Sequence, residues 1–197
     1  MIGYLSGKLA YKSPTYVYVE CMGVGYHVNI SLNTFSKLEG KTDVKLFTSL
    51  QVREDDMSLY GFYDEEERLL FTQLISVSGV GANTARIILS YMTVEDAKRA
   101  IVNGDAVSLS KVKGIGAKTA QKIIIDLKEK VIKSGTPEST QTVVNQDNNL
   151  RSDALSAMIA LGFPKATIEK TINQVMQKNP EIAQVEDLIK LVLKHMN

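Results

Sequence analysis

Apolar and polar positions alternate with a period of two through the first third of the chain. Tyr16-Val17-Tyr18-Val19-Glu20 and Gly25-Tyr26-His27-Val28-Asn29-Ile30 are β-branched and aromatic runs that read as strands. Gly23 and Gly25 are placed to turn the chain between them. From Val44 to Val52, residues Val44, Leu46 and Thr48 fall on one face and Lys45, Phe47 and Ser49 on the other. Leu59-Tyr60-Gly61-Phe62-Tyr63 gives a further strand. Short strands packed into about sixty residues suggest a small barrel of the oligonucleotide/oligosaccharide-binding (OB) type, although strand count does not separate it from other small barrels.

The period changes after residue 63. Glu65-Glu66-Glu67 suits a helix N-terminus, and Leu69, Leu70, Gln73, Leu74 and Val77 follow at helical spacing. An internal repeat then appears. Val77-Ser78-Gly79-Val80-Gly81-Ala82-Asn83-Thr84-Ala85 matches Val112-Lys113-Gly114-Ile115-Gly116-Ala117-Lys118-Thr119-Ala120, and each copy leads into an apolar helix, Ile87-Ile88-Leu89 or Ile123-Ile124-Ile125. Residues 135–149 are polar and nearly free of large apolar side chains, the composition of a flexible linker. Beyond them come three stripes: Ala154, Leu155, Met158, Leu161 and Phe163; Ile168, Ile172, Val175 and Met176; Val185, Leu188, Ile189, Val192 and Leu193. Pro164 and Pro180 stand near the starts of the second and third helices.

The pattern therefore predicts a multidomain α+β chain: an OB-type barrel over 1–63, a helical domain with tandem helix–hairpin–helix motifs over 64–134, a linker over 135–149, and a three-helix module over 150–197. Cys21 is the only cysteine among 197 residues, which excludes an internal disulfide and suits a reduced, cytosolic setting. No apolar run approaches membrane-spanning length, and the first residues lack the layout of a signal peptide. The net charge of +1 conceals a division. Residues 65–135 carry 11 basic and 8 acidic side chains, whereas 1–64 and 136–197 each carry 6 basic and 7 acidic. An anionic partner is expected on the middle region, held by the placement of groups rather than by bulk charge.

The repeat supplies that placement. Two glycines one residue apart turn the chain sharply and let a phosphate approach the backbone. The residues after the second glycine open a helix, whose N–H groups and positive dipole end point at the same spot. Val80 or Ile115 can tuck into the helix pair, while Asn83, Thr84, Lys118 and Thr119 can reach phosphate. Gly79, Val80, Gly81, Asn83, Thr84, Gly114, Ile115, Gly116, Lys118 and Thr119 are thus the candidate DNA-binding residues. Two such hairpins would grip the strands of one duplex without reading sequence. One copy alone could be only a tight helix–helix turn; two copies in the most basic third point to DNA. A nucleotide phosphate loop needs glycine where Val112 and Ala117 stand, and a dinucleotide fingerprint needs it where Thr84 and Thr119 stand.

Other residues offer less. Glu54, Asp55 and Asp56 read as a solvated hairpin tip, a metal site lacking further ligands, or a negative pin that repels DNA. His27 reads as structural. Tyr16, Tyr18, Phe47, Tyr60, Phe62 and Tyr63 are core or interface in the first reading and a stacking surface for single strands in the second. No nucleophile has an evident partner. A helix–hairpin–helix glycosylase or nuclease would need a catalytic Asp or Lys in a pocket, and Asp126, Lys128 and Glu129 stand on an ordinary helix. A single-strand-binding barrel with docking modules is the remaining alternative.

The opening Met1-Ile2-Gly3-Tyr4-Leu5-Ser6-Gly7, the Val52-Arg53-Glu54-Asp55 and Leu59-Tyr60-Gly61-Phe62 block, both hairpins, and the Ala160-Leu161-Gly162-Phe163 turn resemble the RuvA family along the whole chain. The resemblance implies a non-catalytic, cytoplasmic bacterial subunit without cofactor or metal. It implies a homotetramer, one or two per junction, that holds four-way (Holliday) junction DNA open. Glu54 and Asp55 match the family's acidic pin at the junction centre. Met158, Leu161 and Phe163 match its contacts to the hexameric ATPase motor, RuvB; the RuvC resolvase is a further implied partner. The final module is implied to be UBA-like. Asn83 departs from the family's frequent basic residue, and Asp56 adds a carboxylate beside the pin.

Overall fold

The computed structural model describes residues 2–134, 146–179, 182 and 184–196. The chain forms two compact units, Met1–Pro137 and Glu138–Asn197. In the first, β1 (Tyr4–Lys12), β2 (Tyr16–Cys21), β3 (Val24–Ile30), β4 (Asp43–Val52) and β5 (Met57–Phe62) close a barrel in the order β1-β2-β3-β5-β4. All neighbours are antiparallel except β3 and β5. Val17, Val19, Val28, Ile30, Leu46 and Leu59 point inward and form its core with Leu38.

The β2–β3 turn differs from expectation. Its two loop residues are Met22 and Gly23, both at positive φ (50° and 85°), the backbone of a tight hairpin whose twist matches its strands. Gly25 lies inside β3. A short helix, α1 (Leu32–Lys37), follows β3 and is capped by Ser31, whose Oγ accepts from the Thr34 N–H.

The helices α2 (Glu65–Ile75), α3 (Ala82–Tyr91), α4 (Val94–Asn103), α5 (Ala106–Ser110) and α6 (Ala117–Ser134) complete the unit. Their shared core includes Phe71, Leu74, Val77, Ile88, Leu89, Ile101, Leu109, Ile123 and Leu127. Gly104 ends α4 in the left-handed conformation (φ 73°).

Polar clamps tie barrel to helices. Asn33 Nδ2 donates to the carbonyls of Leu89 (2.6 Å) and Met92 (2.9 Å). Glu67, wholly buried, accepts from the hydroxyls of Ser31 and Thr34, and the Thr34 hydroxyl in turn accepts from the Tyr63 N–H. Glu67→Ala would leave both hydroxyls without their acceptor. At about 1–3 kcal/mol per orphaned buried group, denaturant unfolding should show a loss of roughly 2–6 kcal/mol; unchanged stability would contradict the clamp. Burial pushes the Glu67 carboxyl up, against the opposing pull of the two hydroxyls. With its folded pKa above its unfolded one, its contribution is full below the unfolded value and falls as pH rises through the folded value. Glu67→Gln should remove that part of the pH dependence.

The second unit packs α7 (Gln146–Ala160), α8 (Lys165–Lys178) and α9 (Val185–Met196) around Leu150, Ala154, Met158, Ile168, Ile172, Val175, Leu188 and Val192. Helix α7 starts at Gln146, so the last residues of the expected linker are helical; 135–145 lie outside the described residues, as does Pro180. Gly162 (φ 91°) closes α7: its N–H bonds to the Ile159 carbonyl and the Phe163 N–H to that of Met158. Among the described residues no helix is long and apolar enough to cross a membrane.

Candidate nucleic-acid interface

The two hairpins have the same backbone. In the first, the Val80 N–H bonds to the Val77 carbonyl at 3.0 Å, with Gly79 at φ 94°. In the second, the Ile115 N–H bonds to the Val112 carbonyl at 3.0 Å, with Gly114 at φ 91°. Each is a four-residue turn whose third position needs positive φ, which is why glycine stands there. Val80 and Ile115 turn inward and are buried with the flanking Val77 and Val112. The predicted hairpin anchor is therefore a core contact.

The second glycine of each pair starts the next helix. Gly81 caps α3 in an extended conformation (φ −84°, ψ 168°) without a side-chain bond. The first intrahelical bonds run from the Ala85 N–H to the Gly81 carbonyl and from the Ala120 N–H to the Gly116 carbonyl, both 2.9 Å. The N–H groups of Ala82, Asn83 and Thr84, and of Ala117, Lys118 and Thr119, thus precede the first bond and have no intrahelical acceptor. A Cβ at Gly81 or Gly116 would meet nothing within 4 Å. Neither the dihedral angles of Gly81 nor crowding by the chain demands glycine at 81, so the open space suits close approach from outside.

The side chains around the two sites differ. Lys113, Lys118 and Lys122 are exposed at the second hairpin, with Thr119 half-buried beside them. At the first, Arg86 Nη2 donates to Asn83 Oδ1 at 2.8 Å and Nη1 donates to the Thr15 carbonyl at 2.9 Å. Asn83 thus recruits a guanidinium to the hairpin. Arg86 escaped sequence reading because its barrel partner lies far away in the chain; its position three residues after Asn83 on one helix was the available signal.

Glu54 and Asp55 lie on the exposed loop between β4 and β5, which the Arg53 N–H closes on the Asp56 carbonyl at 2.8 Å. Asp56 accepts from the Ser58 hydroxyl. Neither Glu54 nor Asp55 joins the ion pairs of the described residues. Among those residues no three His, Cys, Asp or Glu side chains gather as metal ligands. Exposed Val52 and Met57 pair across the base of the loop.

Asp126, Lys128 and Glu129 are exposed on α6. In the second unit Leu161 is 60% exposed and Phe163 half-buried, but Met158 is fully buried. Met158 packs the module together, which corrects the expectation that it meets a partner directly.

The family described as the RuvA N terminal domain matches residues 1–61. The SAM-like helix-hairpin-helix tandem matches 71–129, and the RuvA C-terminal domain matches 149–197. The chain is 47% identical over 196 residues to the "Holliday junction branch migration complex subunit RuvA" of Flavobacterium psychrophilum, covering all of both chains. It is 44% identical over 196 residues to the protein so named in Christiangramia forsetii, again covering both entirely. The Bacteroides fragilis protein of that name is 42% identical over 203 residues, with the same full coverage. With matches at both ends and along its full length, the chain belongs to the RuvA family.

Proposed function

We propose that this chain is the junction-binding, non-catalytic subunit of a branch-migration complex, and that its copies hold a four-way DNA junction open as a homotetramer. The carrying observation is the pair of matching hairpins, each with a helix N-terminus beyond a glycine that the fold leaves uncrowded. The names of the full-length relatives support the junction as the DNA form. Hairpins 79–84 and 114–119 would take backbone phosphates of one arm, with Lys118, Thr119, Thr84 and the Asn83–Arg86 pair adding contacts. Glu54 and Asp55, exposed and outside any ion pair of the described residues, would meet at the centre and part the crossing strands by repulsion.

The ATPase motor, RuvB, would supply ATP hydrolysis. The C-terminal unit would dock on it through Leu161 and Phe163. The RuvC resolvase would act on the same held junction. One or two tetramers per junction are both compatible with this arrangement, which belongs in the bacterial cytoplasm.

Native mass measurement of the protein on a synthetic four-way junction should give four or eight copies per junction. A single copy would contradict the fourfold reading. Lys118→Ala should weaken duplex and junction binding alike, whatever the sequence. It should also lower the slope of log affinity against log salt by about one for each phosphate that is no longer neutralised. An unchanged slope would remove Lys118 from the interface.

A further inference from the structure

The outward face of β1, β2 and β3 carries a connected cluster of four aromatic rings. Tyr11 pairs with Tyr18 across β1–β2, and Tyr18 with His27 across β2–β3. The Tyr16 ring lies between Tyr11 and His27, with centroids 5.5 and 4.7 Å away and planes inclined by 28° to both. Tyr18 stands 5.6 Å from each of the other three. These rings are not core. Val17, Val19 and Val28 fill the barrel from the opposite face of the same strands at zero exposure, whereas Tyr11 is 47% and Tyr18 40% exposed.

The location is informative. Strand β2 leaves the loop whose Thr15 carbonyl is held by Arg86, and Arg86 also holds Asn83 of the first hairpin. The ring cluster therefore begins one residue from a contact to that hairpin. At the opposite end of the barrel, β5 rises from the acidic loop, parallel to β3. The cluster faces outward on β1, β2 and β3, and β3 pairs with β5, the strand that follows the acidic loop.

We propose that Tyr11, Tyr16, Tyr18 and His27 form a stacking platform for the unpaired bases of single-stranded DNA. The inference rests on the functional reading above, because a junction whose strands are parted exposes unpaired bases that flat rings can stack on. Phosphate contacts alone give flat rings no task. Base stacking on aromatic faces is indifferent to sequence, as a crossover that moves along DNA requires. Polyanion attraction at the hairpin end comes from Arg86, so the rings need supply only the stacking.

The test is equilibrium binding of the full chain to three labelled probes: an oligothymidylate, a linear duplex and a four-way junction. Tyr18→Ala and His27→Ala should each weaken oligothymidylate binding by roughly 5-fold to 100-fold, the range for loss of a stacked base, and leave linear duplex binding unchanged. Tyr18→Phe should retain the wild-type value, since the ring face is kept. Oligothymidylate binding that is undetectable in the wild type, or equal in wild type and both alanine variants, overturns the platform. So does a changed number of copies per particle in Tyr18→Ala, which would assign the face to contact between copies. If the wild type shows no junction preference yet single-strand binding depends on Tyr18, the junction reading fails and the platform stands. Junction preference with single-strand binding indifferent to Tyr18 sinks the platform alone.

Discussion

Replacing the two helix-opening glycines with serine, Gly81→Ser together with Gly116→Ser, should remove most duplex and junction affinity while leaving the fold as stable as before. Glycine at these positions is not demanded by crowding, since a Cβ there meets nothing within 4 Å. Serine is a better helix N-cap than glycine, so stability should hold or rise by a few tenths of a kcal/mol. The same side chain would fill the space through which phosphate approaches, and its hydroxyl would accept from the N–H groups that phosphate would use. Hydrogen bonds to charged groups contribute about 1.5–3 kcal/mol each, so each hairpin should lose roughly 10-fold to 100-fold in affinity. Gly79→Ala or Gly114→Ala would be the wrong control. Those residues sit at φ 94° and 91°, and alanine there strains the backbone itself by about 1 kcal/mol or more. Serine variants that melt as the wild type does and bind DNA equally well would refute the hairpins as the phosphate sites.

The second large effect concerns the acidic loop, and it has the opposite sign. Glu54→Gln with Asp55→Asn should leave junction affinity intact or raise it, and should reduce strand separation at the crossover. A carboxylate and a phosphate about 8 Å apart in water-like surroundings repel by roughly 0.5 kcal/mol. Four such repulsions around one junction sum to roughly 2 kcal/mol, so removal should tighten binding by up to about 30-fold at low salt, fading as salt screens the charges. A fluorescent base analogue at the crossover would report the second part, since it brightens when unstacked; the variant should leave it dim. A large loss of affinity would mean that these carboxylates hold the junction rather than part it. Asp56 should matter less, because Ser58 already engages it.

The hairpins were legible in sequence because their backbone leaves little choice of residue. A turn at φ above 90° requires glycine, and the anchoring position must be apolar, so Val80 and Ile115 marked themselves. The limits were equally physical. Strand β1 contains an irregularity between Leu9 and Tyr11, which breaks the alternation that reveals strands. This hid Tyr11 as a surface aromatic, while Phe62, a candidate for the stacking surface, proved to be core against Phe71. Helix α1 spans six residues, too few for a helical period to show. Met22 adopts positive φ where a glycine was the expected turn residue. Arg86 and Glu67 act through partners 71 and 33–36 residues away in sequence, a pairing that no local pattern encodes. Met158 lay on a correctly read apolar stripe, but a stripe does not say which member ends at its centre.

Competition gel shift across a range of salt concentrations, with a four-way junction, a matched linear duplex and a single strand, tests the central claim most directly. Backbone contacts alone weaken steeply with salt on any duplex, so a preference for the junction that persists as salt rises is the predicted result and would place specificity in the arrangement of the arms. Equal affinity for junction and linear duplex at every salt concentration would contradict the account and leave a general binder of the DNA backbone.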